Sequence, residues 1–349
     1  MPPKKRQAPK PAPDPLSKEA AEEELRRLAE QARNDSPAQH LMEQAGVYTR
    51  ALALLSFMAV YANSSLLALS PVYGQIPAAA YHGIVVAASL FVGWSSNLLL
   101  RRALPRSWGG AAPLLPLVAA YVPAAQHHLF RLSGLLSVTY GPVVSEALTL
   151  APLLIIGTAS TADVLERASA GAIGRIPGFL ADAGPGLGAY AAFRLAELES
   201  IKHIVAWAGH SLPQTRIGLE LSLAAVAAVL APSRLLLWAA PAALHAGLLN
   251  THLPSPYATA SLNATLAAGN WSLVDRRESL TGYISVLDDH DTGFRVMRCD
   301  HSLLGGEWTK LARPIVGEPV YSVFAQLEAV RLVEAPDRVP DDQAKALNM

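Results

Sequence analysis

A long stretch without charge constrains this chain more than any other feature. Between Arg50 and Arg101 the sequence contains no Asp, Glu, Lys or Arg. From residue 51 to residue 162 the charged residues are only Arg101, Arg102, Arg106, Arg131 and Glu146. A water-soluble fold does not need such a stretch, whereas a helix that crosses the hydrocarbon core of a membrane needs about 20 mostly apolar residues. The sequence therefore predicts an integral membrane protein in contact with a lipid bilayer.

Composition supports this prediction and excludes several classes of function. Of the 349 residues, 51% are hydrophobic and only 16% are charged, against about 25% charged residues in a typical soluble protein. The 28 basic and 28 acidic residues cancel, so no bulk field attracts nucleic acid, and nucleic-acid binding is not expected. Cys299 is the single cysteine, which excludes an intramolecular disulfide framework and a zinc ribbon. The histidines show no metal-ligand spacing, and no metal site is predicted.

Residues 1–50 form a charged arm that we expect to be disordered. The arm begins with basic residues among prolines and continues with mixed charges. Its start either contacts anionic lipid or is a simple solvated tail. The first long apolar run begins only after Arg50, too far from the start for a cleaved signal peptide.

Residues 51–250 contain several runs that are apolar enough for transmembrane helices, about six in all. These runs are Ala51–Ser70, Ala78–Leu100, Ala111–Ala125, Gly134–Gly157, Ile217–Leu230 and Leu235–Leu249. The last two form either a tight helical hairpin or one long tilted helix. The segment Gly178–Trp207 is rich in Gly and Ala but carries charges, and we expect it to lie at the membrane interface.

The basic residues predict the orientation, because short cytoplasmic loops carry an excess of Lys and Arg. Nine basic residues precede the first run, and three follow the second, so the amino terminus is predicted in the cytosol. Six crossings return the carboxyl-terminal part to the cytosol as well, whereas five do not. The glycosylation sequons at Asn263 and Asn270 matter only if that part is lumenal. The sequence does not identify the organelle.

Two carboxylates, Glu146 and Glu220, lie within the apolar runs. An ionised group in lipid is costly, so each is expected to face the interior of the helix bundle. They mark either a proton or cation path, or ordinary structural positions. In the second case Glu220 lies near the headgroups, and Glu146 pairs with a neighbouring hydroxyl such as that of Ser145 or Thr139.

After Asp275 the composition becomes that of a water-soluble unit, which we place at residues 273–334 behind a linker at 251–272. Alternating residues predict strands at Thr281–Leu287 and Phe294–Cys299, joined as a β-hairpin. A helix is predicted from Glu318. The predicted fold class is mainly α, with polytopic membrane helices followed by a small α+β subdomain, a β-hairpin or short sheet plus helix.

Three segments of this unit resemble the amino-terminal β-subdomain of the spermidine and spermine synthases, the polyamine aminopropyltransferases. The segments are Arg277–Leu287, Gly293–Asp300 and Glu318–Tyr321, and the resemblance is strongest to fungal members with a multi-helix membrane region. It implies aminopropyl transfer from decarboxylated S-adenosylmethionine to an amine such as putrescine. Carried over by position, Asp300 and Tyr321 bind the polyamine substrate. In the alternative interpretation, Asp300 is a turn residue and Tyr321 lies at the edge of the core, and neither binds a substrate.

The resemblance also implies what the chain should lack. Where the family continues to a Rossmann-like domain with a glycine-rich cofactor loop and a catalytic aspartate, this chain has only residues 335–349. We therefore expect a chain truncated before the catalytic domain, with no catalytic or cofactor-binding residues of its own, and possible assembly into a homodimer. A second interpretation is a non-enzymatic membrane protein or small transporter whose cytosolic end is an interaction module.

Overall fold

The computed structural model describes residues 24–26, 37–166 and 178–310, and it consists mostly of helices followed by one small antiparallel sheet. The helices are α1 (Pro37–Tyr73), α2 (Gln75–Ser95), α3 (Asn97–Ala103), α4 (Leu115–Arg131), α5 (Ser133–Leu148), α6 (Leu150–Leu165), α7 (Gly178–Trp207), α8 (Arg216–Leu230), α9 (Leu236–Leu248) and α10 (Pro256–Ala267). The strands are β1 (Trp271–Ser279), β2 (Gly282–Asp289), β3 (Phe294–Cys299) and β4 (Ser302–Trp308). Each apolar run of the sequence is helical, and Ile217–Leu230 and Leu235–Leu249 form two separate helices.

Helix α1 is the centre of the bundle, because α2, α6, α7 and α8 all pack against it. Its middle carries the most deeply buried side chains, among them Leu54, Met58 and Tyr61. We define the two ends of the bundle by the two ends of α1. The near end contains Arg50, which lines a surface cavity with Trp108 and Ala231. The far end contains Tyr73, whose ring contacts Phe130 at the end of α4.

Contacts between neighbouring helices give their directions. The Tyr61 hydroxyl donates to the Ala119 carbonyl, and the Gln126 amide donates to the Ser65 hydroxyl, so α4 runs parallel to α1. Helix α2 returns antiparallel to α1 after the turn at Gly74, which has a φ of 90°. Glycine adopts this backbone conformation without steric cost.

Contacts with α2 give the directions of α6 and α7. Helix α6 runs parallel to α2, because His82 meets Glu146 just before α6 and Gly93 meets Thr158 inside it. Helix α7 runs antiparallel to α2, since Trp94 contacts Gly186 while His82 meets Glu197.

Helices α8 and α9 complete the bundle. The start of α8 touches α1 at the Leu67 carbonyl, and its end reaches the cavity near Arg50, so α8 returns to the near end. In α9, Trp238 and then His245 meet Tyr121 and then His128 of α4. The described helices therefore make seven passes, and the chain leaves α9 at the far end.

Helix α7 covers the segment for which the sequence predicted an interfacial position. It packs along α1, with Phe193 fully buried and Glu197 6% exposed. Of its charged residues, Glu197 is buried in the bundle and pairs with Arg194 of the same helix, whereas Glu199 and Lys202 are exposed.

Three helical segments are long and apolar enough to cross a membrane, by length and composition: Leu41–Tyr73, Gln75–Ser95 and Ser133–Leu165. Helix α9 is apolar but shorter. Large apolar side chains face outward on several helices, including Phe91, Leu135, Val229 and Leu237, each more than two-thirds exposed.

The sheet is a meander in the order β1-β2-β3-β4, with all neighbours antiparallel. The predicted hairpin corresponds to β2 and β3, where Leu287 pairs with Val296 and both are buried. Helix α10 occupies residues of the predicted linker, and β1 begins at the end of that linker and continues into the predicted soluble unit. The helix predicted from Glu318 and the residue Tyr321 lie outside the described residues.

Candidate functional site: buried charges at the far end

The sheet meets the helices through a buried set of polar side chains, which we call the junction cluster: Arg216, His252, Glu278, Tyr283 and Asp300. Arg216 is the first residue of α8, directly after Thr215, whose hydroxyl caps the helix by accepting from the Gly218 amide. The Arg216 side chain is 8% exposed, and its Nη1 donates to the Leu67 carbonyl of α1 at 2.7 Å. The residue therefore ties the start of α8 to the central helix.

Glu278 of β1 is the central carboxylate of the junction cluster. Its side chain is completely buried. Its Oε1 lies 2.6 Å from Nδ1 of His252 and accepts from the Arg216 backbone amide at 3.3 Å. Its Oε2 lies 3.2 Å from Arg216 Nε, an ion-pair distance without hydrogen-bond alignment. A buried carboxylate requires such partners, because an unpaired one costs several kcal/mol.

Asp300, the predicted substrate ligand, lies in the junction cluster. It follows β3 with a φ of 49°, a left-handed conformation that aspartate tolerates in turns. Its Oδ1 accepts from the Tyr283 amide at 2.8 Å and lies at an ion-pair distance of 2.9 Å from Arg216 Nη1. This geometry fits the alternative of a turn aspartate. Tyr321, the second predicted ligand, lies outside the described residues.

The loop before α10 closes the junction cluster. The fully buried Asn250 donates to the Thr215 hydroxyl at 2.9 Å, and its Oδ1 accepts from the His252 amide. The His252 ring lies against the Tyr283 ring, with centroids 4.3 Å apart. The Tyr283 hydroxyl donates to the Thr251 carbonyl at 3.0 Å. Loop, strand and helix are thus joined by one continuous network.

The environment sets the charge states in this network. Burial alone would raise the pKa of Glu278, but His252 and Arg216 outweigh it and lower the pKa below its usual value. Burial raises the pKa of Tyr283, with a smaller opposite effect from Arg276, so the phenol stays neutral and donates its proton. The arrangement holds an ionised Glu278 between cationic and polar donors. These contacts fix the sheet to the helices.

A second buried set lies inside the bundle, and we call it the core cluster: His82, Glu146 and Glu197. His82 Nδ1 lies 2.5 Å from Glu146 Oε1, and its Nε2 lies 3.7 Å from Glu197 Oε1. Glu197 also pairs with Arg194, and its backbone carbonyl accepts from Asn63. The three side chains come from α2, α5 and α7, so the cluster connects three helices.

Glu146 and Glu220 both face the interior, as the sequence predicted, at 1% and 0% exposure. The partner of Glu146 is His82, not the hydroxyl of Ser145 or Thr139. Glu220 is fully buried one turn into α8, beside Gln126 and Tyr61. The short contact with His82 accounts for Glu146, whereas both carboxylate oxygens of Glu220 are buried without a hydrogen-bond partner among the described residues.

The adjacent His127 and His128 of α4 meet His245 of α9, with ring centroids 5.0 to 5.4 Å apart. Across the three described ranges, no group of three or more His, Cys, Asp or Glu side chains is arranged to hold a metal ion.

Sequence reasoning missed most of the junction cluster. Arg216, His252 and Glu278 stand in three separate segments, and none belongs to a recognisable motif. The available signal was weak: a basic residue at the edge of an apolar run, and a glutamate in a stretch that was not predicted as a strand.

Comparison with known proteins gives one informative relative. The chain is 38% identical over 292 residues to an N-terminal histidine N-methyltransferase of Emericella nidulans. The aligned part covers 82% of this chain and 51% of the relative, so the chain spans about half the relative's length. No protein-family model matches the sequence, and no solved structure matches it.

This relative corrects the resemblance to spermidine and spermine synthases. The relative is named for methyl transfer to histidine, not for aminopropyl transfer in polyamine biosynthesis. The expected aminopropyltransferase function is therefore wrong, and so is decarboxylated S-adenosylmethionine as the co-substrate, since its transferable group is aminopropyl. The comparison does not support the non-enzymatic transporter either. The motifs of the β-hairpin were too short to separate two families of group-transfer enzymes.

Proposed function

We propose that this chain is a membrane-anchored part of a protein that methylates a nitrogen of an N-terminal histidine. The observation that carries the proposal is the 38% identity with a protein of that activity, which extends over 82% of the chain. An alignment of this extent includes the helical bundle as well as the sheet. We therefore propose that the bundle and its junction with the sheet belong to the working enzyme.

The anchor is the helical bundle. Outward-facing apolar side chains such as Phe91 and Leu237 would be costly in water, whereas lipid solvates them. Polar side chains such as Asn63, His82 and Glu146 are inside, which is the arrangement a bilayer requires. We propose that the seven passes cross the membrane, with the basic arm and Arg50 on the cytosolic side.

The junction cluster then has a positioning role. Arg216 joins α1 and α8 to β1 and to the turn after β3. A sheet fixed in this way keeps a constant orientation relative to the membrane. Catalytic groups attached to such a sheet would be held at a defined distance from the bilayer, where a substrate chain could present its amino-terminal residue.

The described residues do not fit a methyl donor. Adenosyl donors are commonly held by a glycine-rich turn between a parallel strand and a helix, but the sheet here is an antiparallel meander. Within the described ranges no parallel strand is followed by a helix. We therefore assign no step of methyl transfer to residues of this chain.

Disruption of the gene in its host tests the proposal. Host proteins whose mature chains begin with histidine should lose a methyl group from that residue, as measured by mass spectrometry of amino-terminal peptides. Reintroduction of the intact gene should restore the methyl group. Unchanged methylation after disruption would contradict the proposed activity, whatever the membrane topology.

A further inference from the structure

The two ends of the bundle differ in basic residues, which gives the bundle an orientation. Near-end connections in the described ranges contain four arginines, Arg101, Arg102, Arg106 and Arg234, whereas helix ends and connections at the far end contain Arg131, Lys202 and the buried Arg216. The turn between α1 and α2 and residues 208–215 contain no Lys or Arg. Because basic residues accumulate in cytoplasmic loops, the near end faces the cytosol.

Seven passes then place the sheet on the other side of the membrane. The sheet follows α9 at the far end, and its contacts with the bundle are all at that end: Asp300 meets Arg216, and His301 lies near Gly74. This differs from the sequence prediction of a cytosolic sheet, which assumed six crossings. The extra pass is α7, the helix that the sequence predicted at the interface.

The sequence contains four Asn-x-Ser/Thr sequons, at Asn34, Asn63, Asn263 and Asn270. Asn34 precedes the near end of α1. Asn63 is 3% exposed inside the bundle, where it donates to the Glu197 carbonyl. Only Asn263 and Asn270 follow α9, on the side where glycosylation takes place.

Of these two, Asn270 has the geometry of an acceptor. It is exposed in the turn between α10 and β1, with a φ of 58°. Its Nδ2 donates one proton to Asp291 Oδ1, which leaves the second N–H for substitution. The Ser272 hydroxyl of the same sequon is exposed beside His290. By contrast, Asn263 is half-buried within α10, and its Oδ1 accepts from the Leu273 amide and so holds β1 against the helix.

We propose that the sheet faces the lumen and that Asn270 carries an N-linked oligosaccharide. In this transfer a bond forms between Asn270 Nδ2 and C1 of the first sugar. The bond between C1 and the phosphate of a polyprenyl diphosphate-linked oligosaccharide breaks, Nδ2 loses one proton, and the lipid diphosphate leaves. The inference rests on the membrane-crossing part of the proposed function and not on methyl transfer.

The experiment expresses the full chain in yeast and measures its gel mobility before and after endoglycosidase treatment. We expect one discrete shift, which Asn270→Gln abolishes and the conservative variant Ser272→Thr retains. Asn34→Gln and Asn263→Gln should each leave the shift unchanged. Absence of a shift, or a shift that survives Asn270→Gln, would overturn the assignment of the glycan.

A labelling experiment separates the side of the sheet from the glycan. Cys299 is the single cysteine and lies at the end of β3. In sealed microsomes a membrane-impermeant maleimide should label it only after detergent is added, whereas Ser17→Cys in a Cys299→Ser background should be labelled without detergent. Labelling of Cys299 in sealed microsomes would overturn the lumenal sheet. Release of the chain by alkaline carbonate would instead contradict the membrane anchor, and neither result bears on methyl transfer.

Discussion

The junction cluster and the core cluster are both buried and ionic, yet they satisfy their charges to different degrees. In the junction cluster, Arg216 contacts the Leu67 carbonyl, Glu278 and Asp300 within 3.2 Å. In the core cluster, Glu146 Oε2 is buried without a hydrogen-bond partner in the described part of the chain, and His82 Nε2 is 3.7 Å from Glu197. The junction cluster thus distributes its charges over more partners, although Glu278 Oε2 also has no aligned hydrogen bond, whereas the core cluster depends on one close pair, His82 and Glu146.

The largest expected effect comes from Arg216→Met. The substitution leaves Glu278 buried without its guanidinium partner, and loss of one member of a buried ion pair costs about 3–5 kcal/mol. We expect the sheet to detach from the bundle while the helices stay folded, which limited proteolysis near residues 249–256 would detect. The matched control is Arg277→Met on β1, next to Glu278, since the Arg277 side chain is 68% exposed. Equal protease resistance of both variants would contradict a fixing role for Arg216.

A smaller effect is expected in the core cluster. Glu146→Leu leaves His82 without its closest partner, at a cost of about 2 kcal/mol in the free energy of unfolding. The double variant His82→Leu and Glu146→Leu should recover most of the loss, because apolar pairs often replace buried ion pairs without penalty. Thermal unfolding of the protein in detergent measures both. Strictly additive losses would show that the two side chains do not interact.

A pH titration tests the ionised state of Glu278 in the junction cluster without any substitution. The folded-state pKa of Glu278 is lowered, so its contribution is fully present above the ordinary glutamate pKa of about 4.3 and is lost as the pH falls through the folded value. Attachment of the sheet should therefore be constant between neutral pH and about pH 5 and weaken only in stronger acid. Protease sensitivity near residues 249–256, measured against pH, reports this change. Detachment already at pH 6 would contradict the assignment.

The smallest effect is expected at the surface of the sheet. Arg295 binds both carboxylate oxygens of Asp288 across β2 and β3, at 2.7 and 2.9 Å, but its side chain is 40% exposed. Solvent screening limits such a pair to about 0.5 kcal/mol. Arg295→Gln should lower the thermal midpoint slightly, and the difference should shrink in about 1 M salt. A loss as large as that of Arg216→Met would remove the distinction between buried and exposed pairs.

Several features of the fold could be predicted from local patterns. The apolar runs became helices, and the alternation around Ile284 and Val296 became β2 and β3, because hydrophobic periodicity acts within one segment. The charges of α7 at Arg194, Glu197 and Lys202 favour an interface, and only the tertiary structure shows that Glu197 is buried between His82 and Arg194.

The sequence by itself determined that the chain is apolar and helical, that Glu146 and Glu220 point inward, and that a hairpin follows. The tertiary structure decided the number of passes, the end at which the sheet lies, and the contacts of Asp300. These depend on pairs far apart in the chain, such as Leu67 with Arg216 and His82 with Glu146. No local pattern predicts them, because a buried charge is stable wherever the fold brings a partner to it.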